Sequence, residues 1–204
     1  VAFLGALYAG VVPVAVNTLL SADDYAYMLA HCRAQAVLTS APLMPVMQAA
    51  ITAGGREVRA LVVSRGSDLP AGALAFDDWI AAQPPLAAAA DTAADEIAFW
   101  LYSSGSTGRP KGTAHTHASP YWTAELYGRR TLGLRADDLC FSAAKLFFAY
   151  GLGNSLSFPL SVGATVLLMA ERPTPAAIFR RWLEHRPTVL FGAPTGYAGL
   201  LAAP

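Results

Sequence analysis

The sequence predicts an α/β fold in which layers of parallel sheet are covered by helices. Helix-like and strand-like segments alternate along its 204 residues, and the strand-like segments are short and almost continuously apolar. Strands of that kind are typical of parallel sheets that helices bury on both faces. Hydrophobic residues make up 54% of the chain and charged residues 14%. This composition excludes a disordered protein and allows a substantial core.

The first half of the chain begins in a helix-like segment that leads into a strand over 11–16. A helix follows from Ser21, whose hydroxyl can cap it, to near Arg33. The next helix stops at the glycine pair Gly54-Gly55. The remaining predicted elements are strands over 36–39 and 58–63, helices over 42–53 and 77–82, an exposed connection over 84–94, and a strand over 97–102.

In the second half, Pro120 and Pro175 mark two helix starts, because a proline at the first helical position loses no hydrogen bond. The predicted helices cover 119–131, 150–160, 174–185 and 196–202, and the predicted strands cover 139–142, 164–169 and 188–191. The alternation of strand and helix therefore continues to the end of the sequence.

The stretch from Tyr102 to Gly112, YSSGSTGRPKG, has the composition of a phosphate-binding loop. Glycines let backbone N–H groups approach an anion closely. Hydroxyl groups add donors, and Lys111 adds a mobile positive charge. The candidate phosphate ligands are Ser103, Ser104, Gly105, Ser106, Thr107, Gly108 and Lys111.

Two other interpretations of this stretch fit less well. A flexible linker would also be rich in Ser, Gly and Thr, but Pro110 stiffens the stretch and two cations flank that proline. A Walker nucleotide loop requires Ser or Thr directly after its lysine, whereas Gly112 follows Lys111.

The eleven residues closely resemble the signature phosphate loop of the adenylate-forming superfamily, which contains acyl-CoA synthetases, peptide-synthetase adenylation domains and luciferases. Residues 3–17 are similar to an early segment of that superfamily. The stretch KLFFAYGLGN over 145–154 is similar to its aromatic segment beside the acyl pocket. Together with FGAPTGY over 191–197, these stretches most resemble benzoate-CoA and 4-hydroxybenzoate-CoA ligases. The resemblance identifies residues 1–204 as part of the large N-terminal AMP-binding domain, with the C-terminal domain absent.

The resemblance implies a two-step reaction in which ATP and Mg²⁺ activate an aryl carboxylate as its adenylate and coenzyme A then takes up the acyl group. It places Thr107 near magnesium, and it assigns Phe148, Ala149, Tyr150 and Gly151 to the aryl acid. The aromatic residues Phe147, Phe148 and Tyr150 could instead belong to an ordinary hydrophobic core. No catalytic residue is assigned, because nothing here matches the family's ribose-binding aspartate, Thr-Glu pair, hinge or C-terminal lysine. We therefore expect the fragment alone to be inactive. Alternatives are another acyl-CoA ligase or adenylation domain of the superfamily, or an inactive nucleotide-binding fragment.

The charge balance and the cysteine content indicate which binding partners and which cellular compartment to expect. The chain has 14 cationic and 14 anionic residues and no basic stripe, so we expect neither nucleic acid nor a membrane surface as a partner. Cys32 and Cys140 form no C-x-x-C pair, which predicts a reduced, cytoplasmic setting. The uncharged runs 1–22 and 146–170 are long enough to span a membrane, but glycine, proline and strand-like stretches interrupt both.

Two of the four histidines, His115 and His117, are candidate metal ligands by their spacing. His115 and His117 would share one face of a strand, but two candidate ligands without a nearby cysteine or carboxylate make a poor metal site. We expect Thr116 and His117 to help start the next helix instead. His31 and His185 lie near predicted helix C-termini, where positive charge is favoured.

Overall fold

The computed structural model describes residues 1–103 and 108–203. The chain divides into two compact units. Unit 1 comprises Val1–Asp91 with Tyr102–Thr113, and unit 2 comprises Thr92–Leu101 with Ala114–Pro204.

Unit 1 contains a parallel sheet with the strand order β2-β3-β4 and helices that pack around it. Its elements are α1 (Ala2–Tyr8), β1 (Val14–Ala15), α2 (Ala22–His31), β2 (Ala36–Ser40), α3 (Met44–Gly54), β3 (Ala60–Ser64), β4 (Leu74–Ala75) and α4 (Phe76–Ala81). The sequence predicted each of these except β4, which at two residues is too short for a hydrophobic pattern to reveal.

Helix α2 begins where its capping residue predicts. The Ser21 hydroxyl accepts a hydrogen bond from the Asp24 backbone N–H, and the Asp24 carboxylate accepts one from the Ser21 N–H, each at 3.2 Å. This reciprocal pair satisfies two backbone donors that the first helical turn leaves open. Helix α3 begins later than predicted, because Pro42 lies in a short 3-10 turn, Ala41–Leu43.

The core of unit 1 forms where α2 and α3 cover β2. Its buried members are Tyr25, Val37, Met47 and Ala50. The two helices approach so closely that a Cβ added to Gly54 would lie 2.1 Å from the Ala26 carbonyl oxygen. Glycine is therefore required at the end of α3 by its contact with the α2 backbone.

The strands β5 (Ile97–Ser103) and β6 (Lys111–Thr116) each belong partly to both units. They lie in a sheet of order β1-β5-β6. The His115 ring stacks on the Phe99 ring with centroids 4.8 Å apart, and the His117 N–H donates to the Glu96 carbonyl at 3.1 Å. These pairs show that β5 and β6 run in opposite directions. The sequence predicted β5 but not β6, whose residues are mostly small or polar.

The rest of unit 2 alternates strands and helices as predicted. Its elements are α5 (Ala118–Thr123), a π-helical turn (Ala124–Arg129), β7 (Leu139–Ser142), α6 (Ala149–Leu152), a second π-helical turn (Gly153–Ser157), α7 (Phe158–Val162), β8 (Thr165–Leu167), α8 (Pro175–His185), β9 (Val189–Phe191) and α9 (Pro194–Leu201).

The prolines of unit 2 confirm one predicted helix start and correct another. Pro175 is the first residue of α8, as predicted, and the Thr174 hydroxyl caps that helix. Pro120 is not at a first position, because α5 already begins at Ala118. The predicted helix over 150–160 is divided by a π-helical turn before Pro159, which has no N–H with which to continue an α-helical ladder. It ends at Gly163, whose φ of +76° favours glycine.

The sheet of unit 2 is parallel, in the order β8-β7-β9, and helices bury both of its faces. Cys140 points to a cluster with Ala124 and Phe158, whereas its neighbour Phe141 points to a cluster with Ala177 and Ile178. Successive side chains of a strand point to opposite faces, so unit 2 is built from three layers. None of the helices in the described part of the chain is long and apolar enough to cross a membrane.

The close approach of α3 to α2 leads to a stability prediction. Gly54→Ala should lower the free energy of unfolding by about 1–3 kcal/mol or more, because the new methyl group collides with backbone that cannot rotate away. Urea unfolding followed by circular dichroism measures the change. Gly199→Ala is the matched control, since a Cβ there meets no atom within 4 Å in helix α9. Equal unfolding midpoints for the two variants would contradict the packing argument.

Candidate active site

The structure describes both flanks of the predicted phosphate loop. Ser103 is the last residue of β5, Lys111 is the first residue of β6, and both are exposed. Gly108 has a φ of +90°, a conformation that residues with a Cβ rarely adopt. The other four predicted ligands, Ser104, Gly105, Ser106 and Thr107, lie outside the described residues.

Three aromatic side chains, Tyr27, His31 and Tyr102, form what we call the aromatic bridge. The Tyr102 hydroxyl lies 2.7 Å from His31 Nδ1, and the His31 ring stacks on Tyr27 with centroids 5.3 Å apart. The Arg109 guanidinium lies over the Tyr27 ring, 5.2 Å from its centroid. Residues on both sides of the loop, Tyr102 and Arg109, therefore contact the same helix, α2.

Burial shifts the pKa values of Tyr102 and of Cys32, the residue that follows α2. It raises the pKa of Tyr102 well above its usual range, and it also raises the pKa of the Cys32 thiol. Both groups are therefore uncharged near neutral pH. The aromatic bridge works through ring contacts and a hydrogen bond, with Arg109 as its cation.

The predicted acid-binding residues lie at the start of α6 in unit 2. Phe148 is the N-cap, and Ala149, Tyr150 and Gly151 are the first helical residues. The ring of Phe147 packs beside that of Phe148, with centroids 4.7 Å apart. Phe148 is 47% exposed and Tyr150 is 50% exposed, so both present ring surface to the outside. We call residues 147–151 the acid segment.

The Tyr150 hydroxyl anchors the acid segment to the residue that follows β9. It donates a hydrogen bond to the Gly192 carbonyl at 3.2 Å. Burial raises the pKa of Tyr150, so the phenol keeps its proton and remains a donor. Gly192 itself lies against the Tyr197 ring, 3.0 Å from where a Cβ would be.

Gly151 packs against the backbone of Lys145. A Cβ at Gly151 would lie 2.1 Å from the Lys145 carbonyl oxygen and 2.8 Å from that of Ala144. The same Lys145 carbonyl accepts a hydrogen bond from the Phe148 N–H at 3.1 Å. This close contact by itself accounts for glycine at position 151.

The Lys145 side chain binds the turn that follows β8. Its ammonium group donates to the carbonyl oxygens of Met169, Ala170 and Glu171 at 2.5, 3.1 and 2.7 Å. Burial lowers the pKa of Lys145, and the nearby Glu171 carboxylate opposes that effect. Three donors and three acceptors match the hydrogen-bonding capacity of an ammonium group.

The Glu171 carboxylate is held by two arginines of α8. Arg181 donates to both of its oxygens, at 2.8 and 2.7 Å, and Arg180 donates to one at 3.2 Å. The hydrogen bonds from Arg181 lower the pKa of Glu171 to about 2. The turn at 169–171 is therefore fixed on one side by Lys145 and on the other by α8.

The histidines and cysteines take mainly structural positions. His115 stacks on Phe99, and burial lowers its pKa. Within residues 1–103 and 108–203, no group of three or more His, Cys, Asp or Glu side chains could hold a metal ion. His31 and His185 end α2 and α8, as predicted. Cys140 is fully buried, and burial raises its pKa to about 11.

The whole sequence, residues 1–204, matches the family of AMP-binding enzymes. The chain belongs to this family. It is 52% identical over 202 residues to the benzoate–CoA ligase of Thauera aromatica, covering 99% of this chain and 37% of that protein. It is 47% identical over 202 residues to the 4-hydroxybenzoate–CoA/benzoate–CoA ligase of Rhodopseudomonas palustris, again covering 99% and 37%.

Solved structures agree with these relationships. The structure of a benzoate CoA ligase from Burkholderia xenovorans LB400 superposes with a TM-score of 0.88 and 57% identity, covering 100% of this chain and 39% of that one. An anthranilate CoA ligase in complex with anthranoyl-AMP superposes with a TM-score of 0.93 and 37% identity, covering 99% and 39%. The chain thus spans well under half the length of these relatives and has the fold of the matching part of adenylate-forming enzymes.

Sequence reasoning assigned no role to Lys145, to the Gly192 carbonyl, or to Tyr27 and His31 as partners of the loop flanks. The sequence does carry one indication for Lys145. Lys145 and Glu171 are the charged residues directly before and directly after the uncharged run 146–170. A carbonyl acceptor such as that of Gly192 leaves no trace in residue types. The aromatic bridge joins positions about 70 residues apart, which only the fold brings together.

The low pKa of Glu171 leads to a prediction about acid stability. A carboxyl group whose folded pKa is depressed stabilises the fold above its unfolded pKa and loses that contribution as the pH falls through the folded value. The stability difference between wild type and Glu171→Gln should therefore be full above about pH 5 and shrink between about 4.5 and 2. Urea unfolding across this range measures it. Glu184→Gln, in helix α8, is the control, and a pH-independent difference for Glu171→Gln would contradict the assignment.

Proposed function

We propose that the full-length protein containing this chain activates an aromatic carboxylic acid, benzoate or a hydroxybenzoate, and joins it to coenzyme A. A carboxylate oxygen of the acid attacks the α-phosphorus of ATP, and the bond to the bridging oxygen of pyrophosphate breaks. The coenzyme A thiolate then attacks the acyl carbon of the adenylate, forming the thioester and releasing AMP. Mg²⁺ enters as the counter-ion of the ATP substrate.

The observation that carries the proposal is the 52% identity to a benzoate–CoA ligase over almost the whole chain. Identity decreases to 36% for a 3-hydroxybenzoate–CoA/4-hydroxybenzoate–CoA ligase of Thauera aromatica and to 34% for an anthranilate–CoA ligase of Pseudomonas aeruginosa. All of these relatives are named for acids with a single aromatic ring. This order favours benzoate over its ring-substituted derivatives.

In this proposal the loop from Ser103 to Lys111 holds the β- and γ-phosphates. The first step joins two anions, so its transition state needs N–H dipoles and a cation placed where charge develops on the departing pyrophosphate. Lys111 supplies that cation from the first position of β6, and the glycines and hydroxyl groups before it supply donors. The aromatic bridge positions the two flanks of the loop against α2.

The acid segment suits a flat ring for steric reasons. Ala149, with only a methyl group, precedes Tyr150 at the start of α6, and the Tyr150 ring is half exposed. An aromatic face favours stacking or edge contact with another ring. Because the Tyr150 hydroxyl is committed to the Gly192 carbonyl, its ring has a fixed orientation. An aromatic ring held in one orientation favours a flat acid that can stack on it over an acid with a flexible aliphatic chain.

One relative suggests a second candidate activity. A p-hydroxybenzoic acid–AMP ligase of Mycobacterium marinum is 32% identical over 203 residues, and its name indicates a reaction product at the adenylate stage. An enzyme that keeps the same acid pocket but does not transfer to coenzyme A would release pyrophosphate without forming a thioester.

The test measures both products on one panel of acids. The full-length protein is incubated with ATP, magnesium and coenzyme A, together with benzoate, 3- and 4-hydroxybenzoate, 2-aminobenzoate or hexanoate. Pyrophosphate is followed by a coupled assay and the thioester by mass spectrometry. We expect both products, with benzoate giving the highest kcat/KM. Preference for hexanoate would overturn the aryl assignment, and pyrophosphate without thioester would favour the second candidate.

The proposed role of Lys111 gives a direct prediction. Lys111→Ala in the full-length protein should slow pyrophosphate release by about 10²-fold, as when one transition-state donor is removed. Its unfolding midpoint should hardly change, because Lys111 is exposed. Arg56→Ala, which removes an exposed cation far from the loop in sequence, is the control and should retain wild-type turnover. Undiminished pyrophosphate release by Lys111→Ala would contradict the phosphate assignment.

The proposed role of Ala149 gives a prediction about selectivity. If Ala149 leaves room for the ring as proposed, Ala149→Leu should fill that room, so kcat/KM should fall by about 10- to 200-fold for benzoate and by clearly less for a short aliphatic acid such as propionate. The ratio of the two values is the measurement, since a general folding defect cancels from it. Ala149→Ser, nearly equal in size, should leave that ratio close to wild type. An unchanged ratio for Ala149→Leu would argue against a ring pocket at this position.

A further inference from the structure

The acid segment lies at one edge of the parallel sheet β8-β7-β9. Parallel strands all end at the same edge, and the chain leaving β7 leads directly into residues 143–151. The chain leaving β8 forms the turn at 169–171, and Gly192 is the first residue after β9. Ligand sites of open parallel sheets lie outside these carboxyl ends.

The segment leaving β7 is attached to both of its neighbours through side chains. On the β8 side, the Lys145 ammonium group donates to three successive carbonyl oxygens, those of Met169, Ala170 and Glu171. On the β9 side, the Tyr150 hydroxyl donates to the Gly192 carbonyl. Between these two attachments lie only four residues, and they include Phe148 and Ala149.

The backbone of Lys145 transmits its position to the acid segment. Its carbonyl accepts the hydrogen bond of the Phe148 N–H at 3.1 Å. The same carbonyl lies against Gly151, so close that a Cβ there would be 2.1 Å away. A shift of Lys145 therefore displaces the start of α6 directly, without intervening side chains.

We propose that Lys145 is a positioning residue for the aryl acid, acting through the acid segment and not by contact with the substrate. The inference rests on the proposed function in one respect, the binding of the acid by Phe148–Gly151. An apolar side chain at 145 would leave three carbonyl groups without their donor, and the turn at 169–171 would no longer hold the segment in place. The aryl ring would then bind to a misplaced surface.

The consequence is a selective change in kinetic parameters. Loss of Lys145 should raise KM for the acid, because the disturbed residues are those assigned to its ring. KM for ATP should stay near wild type, because the residues assigned to the phosphates belong to a different compact unit. A residue needed only for folding would reduce the active fraction, which lowers the apparent kcat and leaves both KM values unchanged.

The experiment compares three variants of the full-length protein. Lys145→Met keeps the length of the side chain but removes its charge and donors. Lys145→Arg keeps a cation that can donate to carbonyl oxygens. Arg172→Met is the matched control, since it removes an exposed cation next to Glu171. KM and kcat are measured for ATP and for the acid that the wild type activates best, and hydrogen exchange is followed by mass spectrometry.

We expect Lys145→Met to raise KM for the acid about tenfold or more and KM for ATP by less than about twofold, as for a displaced binding surface. Peptides covering 145–152 and 169–173 should exchange faster, while peptides of unit 1 should not. Lys145→Arg should recover much of the acid affinity, and Arg172→Met should behave as wild type. Should Lys145→Met not fold, Lys145→Gln is measured against the same criteria.

Several results would overturn the proposal. These are an unchanged KM for the acid, equal changes in both KM values, a fall in kcat alone, or the same effect from Arg172→Met. Failure of the proposed function is a separate result, seen when the wild type activates an aliphatic acid best or forms no thioester. In that case KM of the Lys145 variants is measured for the acid that the wild type does activate. The faster hydrogen exchange expected for peptides covering 145–152 can be measured without any turnover.

Discussion

The parallel pairing of β7 with β8 and β9 is the constraint on which the candidate acid site depends. Phe141 lies opposite both Leu167 and Leu190, so the three strands end within a residue or two of one another at a single edge. Each chain must turn away from the sheet there, and its carbonyl groups no longer have a neighbouring strand to pair with. Lys145 and Tyr150 supply donors to those carbonyls. The same hydrogen bonds that complete the sheet edge also fix the residues assigned to the acid.

The sheet can serve as a rigid base because its central strand is buried on both faces. Cys140 and Phe141 are each 0% exposed, and they contact helices on opposite sides. Deleting buried side-chain volume at such positions costs several kcal/mol, so the strand has little freedom to shift. Sites built on rigid elements hold their geometry more accurately than sites on long loops. The acid segment begins only five residues after β7 ends, and much of that short connection is fixed by Lys145.

Sequence patterns predicted the elements whose signals are local. The Ser21 cap, the glycine stop after α3, and Pro175 at the start of α8 each follow from one residue and its immediate neighbours. The sequence did not predict β6, because its mostly small or polar residues form no apolar pattern. The strand forms because it pairs with β5, which lies next to it in the sheet. The sequence also did not predict the π-helical turn before α7. In a π-helix each hydrogen bond spans one residue more than in an α-helix, and the pattern of apolar residues does not reveal that difference.

Among the residues of the candidate site, too, some could be predicted from local sequence and others could not. The loop YSSGSTGRPKG and the aromatic stretch at 147–151 could be proposed as site residues because their chemistry lies in consecutive residues. The partners that position them could not be. Tyr102 meets His31 only because unit 1 folds α2 beside the loop flank, and Lys145 meets residues 169–171 only because β8 pairs with β7. Resemblance to a family therefore predicts candidate site residues more readily than it predicts the contacts that hold those residues in place.

The Lys145 contact depends more on hydrogen-bond direction than on net charge. The Glu171 carboxylate favours the charged lysine, but Arg181 opposes it, and that arginine already holds both carboxylate oxygens. The two charge effects on Lys145 therefore work against each other, which leaves the three carbonyl acceptors as its main partners. An ammonium group can satisfy three carbonyls in an irregular turn because its N–H bonds diverge and its four-carbon stem is adaptable. A chain with only 14% charged residues thus uses a cation here to order backbone, at the edge of an otherwise uncharged run of 25 residues from 146 to 170.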